Sequence, residues 1–403
     1  MTSTNRDLFF RHVGQTSPFA NGLEVARAEG YYLYDTSGKR YLDFIAGIAV
    51  CNVGHCHPRV VDAVQKQAAL YAHTMVYGEH IQAPQVQLAA RIAEVAPPGL
   101  DTTYFLTTGA EANDAALKLA VKLTGRSNLI AFRGAYHGDT VGALACFGDE
   151  AFRHAFQRLL VPVTFLPFGN FDELQKIDDA TAAVIIEPVQ GEAGIHVPPP
   201  GFLQALRERC TATGALLIFD EVQTGFGRIG DWFAATHFGV TPDVITMAKG
   251  MGAGMPLAGV LASRDMLTRF AADPPFSHIT TFGGHPVSCA AGLAAMQVID
   301  EEQLLQRSRD HGAHITSLLQ SIASTDSRIH DIRGIGLMIG AEMQSKELAR
   351  QIVISCKDKG LIIETNLLDE KVIRFSPPLI VTKDQCEEAL QSFAAVLAAG
   401  SIN

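Results

Sequence analysis

A lysine and an aspartate stand at the carboxyl ends of two successive apolar runs. Residues 244–248 predict a buried strand, and Lys249 ends that run before the chain becomes glycine-rich. Upstream, residues 215–219 predict a second buried strand, which ends at Asp220. The lysine is either an ordinary edge charge or an amine placed to form an imine. The aspartate either caps its strand or keeps a ring nitrogen protonated.

An imine-forming amine and a carboxylate that holds a pyridinium proton are the two groups that pyridoxal phosphate requires. Two neighbours of Asp220 fit the same interpretation, because Val222 could press on one face of a ring and Gln223 could bind its phenolic oxygen. A capping pair formed by Asp220 and Glu221 is the plainer alternative. That alternative does not explain why a lysine follows at the end of the next predicted strand.

Two threonine-containing segments have the residue types of a phosphate site. Thr107 and Thr108 precede an amphipathic helix, and Gly109 and Ala110 would leave its free N–H groups open to an anion. A plain N-cap by either threonine is an open alternative. Thr281, in a glycine-rich segment that also precedes a helix, could complete the phosphate site or simply belong to a capped turn.

Two histidine-containing segments suggest different chemistry. Tyr136 and His137 lie in a glycine-flanked turn after a predicted strand, where an aromatic ring either stacks on a planar cofactor or packs within its own loop. His55 and His57 flank a cysteine and invite interpretation as a metal site. Because no Cys or His pair at zinc spacing accompanies them, we expect a structural turn and no metal.

Composition narrows the class of protein. The 403 residues carry a formal net charge of −10 with no basic block, which argues against nucleic acid or an anionic membrane as partner. Seven dispersed cysteines indicate reduced thiols. The N-terminus lacks the apolar core of a signal peptide, and no apolar run approaches the roughly 20 residues of a membrane span. We expect a soluble, cytoplasmic protein.

Helical and strand patterns alternate between about 84 and 262, after a hairpin signal at 30–44. The predicted helices are 58–68, 84–95, 110–124, 150–159, 201–213 and 289–299, and the predicted strands are 103–106, 128–132, 163–166, 181–187, 215–220, 243–248 and 257–262. The later part of the chain is predicted as helix, strands and helix, in the segments 303–323, 335–342, 345–359, 361–364, 371–375 and 383–398. We predict an α/β fold with a mostly parallel sheet covered by helices on both faces, plus a smaller α+β domain. The predicted divisions are 1–48, 49–299 and 300–403.

With these motifs assembled, the chain resembles the class III aminotransferases, a pyridoxal-phosphate family that includes acetylornithine and ornithine aminotransferases. The resemblance is carried, in order, by Gly54-His-Cys-His-Pro, Thr108-Gly-Ala-Glu-Ala, Tyr136-His-Gly, Glu187-Pro-Val-Gln-Gly-Glu192, Asp220-Glu-Val-Gln-Thr-Gly-Phe-Gly-Arg228, Ala248-Lys249-Gly and Thr281-Phe-Gly-Gly. It implies a large domain of PLP fold type I, like that of aspartate aminotransferase.

The resemblance also implies roles for individual residues. Lys249 would be the Schiff-base lysine and proton shuttle, and Asp220 would pair with the pyridine nitrogen. The other implied cofactor contacts are Gly109, Ala110, Tyr136, His137, Glu187, Val222, Gln223 and Thr281. Thr281 would come from the neighbouring subunit of a homodimer. Glu192 and Arg374 would form a pair in which the glutamate masks a carboxylate-binding arginine until a dicarboxylate substrate arrives.

One position departs from the pattern of relatives that act with 2-oxoglutarate. They commonly carry an arginine where this chain has Asp139, in the loop after Tyr136. An acidic side chain there would repel the distal carboxylate of glutamate. Alternatively, Asp139 is a solvated carboxylate that only caps the turn at Gly138.

The leading hypothesis is an aminotransferase that moves the amino group of an ω-amine or a basic amino acid to a 2-oxo acid by a ping-pong route. A class III racemase or decarboxylase is the alternative with the same cofactor. A non-catalytic binding protein, or a metal-dependent hydrolase using His55 and His57, is the alternative from another class.

Overall fold

The computed structural model describes residues 4–399 of the chain. The helices are α1 (Asn5–His12), α2 (Ala46–Ala49), α3 (Pro58–Leu70), α4 (Ala83–Val95), α5 (Gly109–Thr124), α6 (Val141–Ala145), α7 (Glu150–Arg153), α8 (Phe202–Thr213), α9 (Ala234–Phe238), α10 (Arg264–Ala271), α11 (Pro286–Glu301), α12 (Leu304–Ala323), α13 (Lys346–Asp358) and α14 (Lys383–Ala398). The strands are β1 (Val25–Glu29), β2 (Tyr32–Asp35), β3 (Arg40–Asp43), β4 (Thr102–Leu106), β5 (Asn128–Phe132), β6 (Val163–Leu166), β7 (Thr181–Ile186), β8 (Leu216–Asp220), β9 (Val244–Met247), β10 (Ala258–Ala262), β11 (Ile329–Ile335), β12 (Met338–Met343), β13 (Leu361–Ile362), β14 (Glu364–Thr365) and β15 (Val372–Phe375).

A seven-stranded sheet forms the centre of the molecule, in the order β4-β10-β9-β8-β7-β5-β6. Strand β10 runs antiparallel to both of its neighbours, and the pairs from β9 to β6 are parallel. The predicted, mostly parallel sheet is therefore confirmed, with one reversed strand. In the part of the chain described, no helix has both the length and the apolar character needed to cross a membrane.

Helices cover both faces of this sheet, which explains why its central strands are continuous apolar runs. Val184 and Ile186 of β7 pack into one core cluster with α4, α8 and α11. Ala183 and Ile185 point the other way and pack with α5 and α10. Because alternate side chains of a strand face opposite sides, both sets must be apolar when both sides are covered.

Two four-stranded sheets accompany the central one, in the orders β1-β2-β3-β13 and β11-β12-β15-β14. The predicted hairpin is confirmed as the antiparallel pair of β2 and β3. Strand β3 also pairs in parallel with β13, so the N-terminal hairpin is joined to the C-terminal part of the chain. Strand β15 carries Arg374 toward the central sheet.

Three predicted elements differ from the structure. The helix predicted at 150–159 is a short α7 followed by a 3₁₀ helix at His154–Leu159. The single strand predicted at 335–342 is a hairpin, since β11 and β12 pair from Ile335 to Met338 across a two-residue turn. The strand predicted at 361–364 is split between two sheets, with Leu361–Ile362 in one and Glu364–Thr365 in the other. Composition alone did not indicate α1 or β1.

Candidate active site

A cavity of about 580 Å³ opens at the carboxyl edge of the central sheet. Parallel strands β5, β7, β8 and β9 are neighbours, so the residues that follow them meet there. The predicted site residues that line this cavity are Gly109, Ala110, Tyr136, His137, Asp139, Glu187, Glu192, Asp220, Val222, Gln223 and Lys249. Arg374 and Thr281 do not line it.

Lys249 lies at the cavity wall directly after β9, in an unusual backbone conformation. Its φ is 46°, in the left-handed region that a lysine rarely adopts. Strain of this kind persists where surrounding structure enforces it, and it concentrates at functional sites. Among the described residues, the Lys249 amine has no hydrogen-bond or ion-pair partner. Desolvation lowers the pKa of Lys249 from its usual value, although the nearby carboxylate of Glu192 opposes this.

Asp220 is a buried carboxylate whose two oxygens have different surroundings. Oδ2 accepts hydrogen bonds from Asn113 Nδ2 at 2.8 Å and His137 Nδ1 at 2.7 Å. Oδ1 accepts only the backbone N–H of Val222, at 3.0 Å. Because Oδ2 is an acceptor, Nδ1 of His137 must carry a proton. Oδ1 retains a lone pair for a donor in the cavity.

The N-terminus of α5 presents two backbone donors to the cavity. Thr108 is the N-cap and accepts from the Glu111 N–H, while the Glu111 carboxylate accepts from the N–H groups of Thr107 and Thr108 at 3.0 Å each. The N–H groups of Gly109 and Ala110 have no hydrogen-bond partner among the described residues. The capping and phosphate-binding interpretations therefore coexist: the threonine caps the helix, and the next two amides stay free for an anion.

Tyr136 is fixed on three sides. Its N–H donates to Glu187 Oε2 at 3.0 Å, its hydroxyl donates to Asp139 Oδ2 at 2.8 Å, and its ring meets Phe147 edge to face at 5.2 Å. Desolvation, followed by the hydrogen bond to Asp139, raises the pKa of Tyr136. The hydroxyl therefore stays protonated and donates to the exposed Asp139 at the cavity mouth.

Glu187 is buried directly after β7 and accepts two backbone hydrogen bonds, from Tyr136 at 3.0 Å and from Gly191 at 3.1 Å. Desolvation raises the pKa of Glu187 to about 7 despite these donors. The carboxyl thus changes charge near neutral pH.

Glu192 and Arg374 form a buried, two-pronged ion pair at the small-domain side of the cavity. The guanidinium nitrogens lie 2.7 and 2.8 Å from the two carboxylate oxygens. Burial acts to raise the pKa of Glu192, but the charge and hydrogen bonds of Arg374 outweigh it and hold the pKa below its usual value. Arg374 also donates to the carbonyl of Thr365 at 3.0 Å.

Val222, Gln223 and Thr281 were predicted to contact the cofactor. The first two line the cavity and Thr281 does not. Val222 and Gln223 line the cavity after β8, where the Gln223 amide packs against the backbone of Gly191. Thr281 is exposed and lies beyond the cavity wall, with Tyr77 as its neighbour: the Tyr77 hydroxyl is 3.5 Å from Thr281 Oγ1.

Sequence reasoning missed Asn113 and Thr246, both fully buried around Asp220. Thr246 pairs with Asp220 across β8 and β9, and its hydroxyl donates to Asn113 Oδ1 at 2.7 Å. A signal was present, since an asparagine within the apolar face of α5 requires buried partners.

The histidines at 55 and 57 have structural partners. His55 Nε2 lies 2.7 Å from Asp43 Oδ2. His57 accepts from the Arg59 N–H at the start of α3 and lies 3.2 Å from Glu302. Both side chains therefore support the turn and helix start that the sequence indicated.

The sequence of this chain is similar to those of known proteins along most of its length. The family model of Aminotransferase class-III matches residues 15–397. The acetylornithine aminotransferase of Methanosarcina mazei is 43% identical over 371 residues, which cover 91% of this chain and 90% of that protein. The chain belongs to the class III aminotransferases.

Solved structures agree. This aminotransferase matches the ornithine aminotransferase of Toxoplasma gondii, which has partial occupancy of PLP at its active site, at 29% identity and a TM-score of 0.90 over 98% of this chain and 94% of that one. It matches the omega transaminase of Pseudomonas jessenii in complex with PMP at 25% identity and a TM-score of 0.90 over 98% of each chain. The protein is a pyridoxal-phosphate-dependent enzyme that moves an amino group from a small amine donor to a 2-oxo acid. None of these relatives is a racemase, a decarboxylase or a hydrolase.

The cavity of the aminotransferase fits pyridoxal 5′-phosphate by its own chemistry. The free amides of Gly109 and Ala110 suit the phosphate, the open lone pair of Asp220 Oδ1 suits a protonated ring nitrogen, and the unpaired Lys249 amine suits an aldehyde. Bound there, the cofactor supplies an electron sink for the charge left when a substrate loses its Cα proton.

Proposed function

We propose that Lys249 carries the cofactor covalently and moves the substrate proton, and that the amine donor is an ω-amine or a basic amino acid. Support for the first part comes from the unpaired amine of Lys249, whose pKa is lowered by desolvation. A neutral amine is required both for attack on a carbonyl and for action as a general base. Asp220 then keeps the ring nitrogen protonated.

The charge of the cavity supports the proposed donor class. Within the described residues, the carboxylates that line it are Asp139, Glu187, Glu192 and Asp220, and Lys249 is the one lysine or arginine that does so. Such a lining favours cationic donors over those that place a second carboxylate at the mouth. Acetylornithine is one candidate donor, because the relative from Methanosarcina mazei is an acetylornithine aminotransferase. Asp139 disfavours any donor whose carboxylate reaches the mouth.

The acceptor follows from the same surface. An oxo acid with a single carboxylate can use Arg374 after Glu192 turns away, and it brings no second carboxylate to Asp139. We therefore propose pyruvate-like acceptors over 2-oxoglutarate. The Tyr136–Asp139 hydrogen bond is the observation that carries this preference, since it holds the acidic group at the mouth.

The decisive experiment uses Lys249→Ala alongside the wild-type protein. The wild type should be yellow with bound pyridoxal phosphate and should convert to the pyridoxamine form when mixed with a diamine. Turnover by Lys249→Ala should fall at least ~10³-fold, as expected when a covalent catalyst is lost. The proposed role of Lys249 would be refuted if the wild type did not bind pyridoxal phosphate or if the Lys249→Ala variant retained turnover.

We further propose a homodimer in which Thr281 of one protomer completes the phosphate site of its partner. An exposed apolar surface surrounds this threonine, where segments 70–81 and 276–285 meet; His73 stacks at 5.7 Å from His285. Its exposed apolar members are Leu70, Met75, Ile81, Phe276, Ile279 and Phe282. Several exposed apolar side chains on two segments that meet in this way are typical of an interface.

Light scattering after size exclusion tests the dimer. Ile81→Asp should yield monomers with weaker cofactor binding, because Ile81 is 94% exposed in the single chain and would be buried by a partner. Ile354→Asp is the matched control, since Ile354 is 63% exposed on α13, away from this surface. A monomeric wild type would overturn the proposal. The domain divisions at 48 and 299, and the cytoplasmic location, stay predictions.

A further inference from the structure

We propose that Asn113, held by Thr246, is a positioning residue that orients Asp220 toward the cofactor ring. This inference rests on the proposed role of Asp220. Asn113 is 1% exposed and Thr246 is fully buried, so neither side chain is explained by contact with solvent. Instead, the Thr246 hydroxyl donates to Asn113, and Asn113 donates to one oxygen of Asp220.

The orientation of the Asn113 amide is fixed by its partners. Nδ2 lies 2.8 Å from Asp220 Oδ2 and 2.7 Å from the His137 carbonyl, and both of these are acceptors. The NH₂ group has two protons, so each acceptor receives one. A flipped amide would place Oδ1 against two acceptors, which is unfavourable. Thr246 completes the arrangement by donating to Oδ1 at 2.7 Å.

This arrangement has a consequence for Asp220. Donors from Asn113 and His137 both bind Oδ2, so the carboxylate cannot rotate without breaking two charge-assisted hydrogen bonds. Oδ1 is thereby left as the oxygen that would accept a hydrogen bond from the protonated ring nitrogen of the cofactor. Without Asn113, only His137 would hold Oδ2, and the buried carboxylate would also lose a donor that stabilises its charge.

The pairing register of β8 and β9 places Thr246 beside Asp220. Thr246 is the direct partner of Asp220 in the parallel ladder of β8 and β9, and its carbonyl accepts from the Glu221 N–H at 3.0 Å. Backbone pairing thus fixes the position of Thr246 along the strand direction relative to Asp220. Asn113, one helical turn after Gly109 on α5, links this ladder to the end of the helix that presents the free amides.

The test measures cofactor binding and the pH at which the absorption of the bound cofactor changes, in Asn113→Ala and Thr246→Val. Loss of a hydrogen bond to a charged group should weaken pyridoxal-phosphate affinity roughly tenfold in Asn113→Ala. Thr246→Val should have a smaller effect in the same direction. In both variants the spectral pH transition should move, because Asp220 sets the protonation of the ring nitrogen. Thr246→Ser keeps the hydroxyl, so its cofactor affinity and its spectral transition pH should both match those of the wild type.

Ser308→Ala is the matched control, because it also removes a fully buried hydroxyl, one that donates to the Arg228 carbonyl outside the cavity. It should lower stability without moving the spectral transition. If Asn113→Ala does not fold, Thr246→Val and Thr246→Ser decide. Wild-type affinity and spectra in the Thr246→Val variant would overturn the positioning role while leaving the proposed function intact; failure of the wild type to bind the cofactor would instead refute the function.

Discussion

The guanidinium of Arg374 is held by the carboxylate of Glu192 through two hydrogen bonds, at 2.7 and 2.8 Å, with both side chains buried. Glu192 lines the cavity and Arg374 does not. We infer that a substrate carboxylate reaches Arg374 only after Glu192 turns away. The turn also breaks the hydrogen bond from the Leu367 N–H to Glu192 Oε2, at 3.1 Å. We therefore propose that the pair separates only when a substrate carboxylate replaces Glu192 at Arg374.

Removing the glutamate should destabilise the fold. Glu192→Ala leaves a buried cation without its partner, which costs about 3–5 kcal/mol of unfolding free energy, with the low end expected because cavity water can reach the guanidinium. Urea unfolding measures the loss. Glu29→Ala removes an exposed ion pair with Arg27 and should cost under about 1 kcal/mol. Equal losses in the two variants would contradict the pairing argument.

Reversing the charge of residue 139 at the cavity mouth should change which oxo acid the enzyme prefers as acceptor. Asp139→Arg should raise kcat/KM for 2-oxoglutarate relative to pyruvate by roughly tenfold, a modest gain because an exposed charge is screened by water. The gain should shrink at high salt. Asp139→Asn, which removes the charge without reversing it, should give an intermediate ratio. An unchanged ratio in Asp139→Arg would mean that the carboxylate only caps its turn.

The contact between Gly138 and α5 should control cofactor affinity. Gly138 has a φ of 115°, and a Cβ there would overlap the Cβ of Ala110. Gly138→Ala should therefore displace the free amides and weaken pyridoxal-phosphate binding at least about tenfold, since two hydrogen bonds to a charged group are disturbed. Gly125→Ala, at the other end of the same helix, introduces a Cβ at a φ of 68° into open space. It should lower stability and leave affinity unchanged.

Glu187 should make the stability pH-dependent. Its pKa rises from 4.5 to about 7 on folding, so between these values the folded state holds a proton that the unfolded state lacks. The free energy of unfolding should therefore fall as the pH rises from about 4.5 to 7, by an amount on the order of 3 kcal/mol. Glu187→Gln should reduce this decline without abolishing it, because burial also raises the pKa of Glu221 to about 7. Urea unfolding at pH 5 and pH 8 measures the difference. Replacing the exposed Glu347 with Gln should leave the decline as in the wild type.

The convergence of Lys249 and Asp220 was predictable from sequence, because groups that end adjacent parallel strands must meet at one edge of the sheet. The turn that presents Tyr136 followed from its flanking glycines. Asn113 was not predicted, because helical periodicity identifies a buried face but not which strand residue that face meets. That Thr281 lies outside the cavity of its own chain could be expected only from the family resemblance, since no local pattern shows how far this loop lies from the other site residues.

Glu111 has a consequence for how strongly the phosphate of the cofactor can be held. Its carboxylate satisfies the amides of Thr107 and Thr108 from within the chain, so these bonds hold the first turn of α5 without needing a phosphate as acceptor. Little backbone order has to be gained on binding, and the entropic cost of association is correspondingly small. The internal carboxylate also leaves only two amides for the anion, and its negative charge opposes very tight retention. Glu111 thus orders the phosphate site while limiting its hold on the anion, so that firm retention of the cofactor would depend on Lys249.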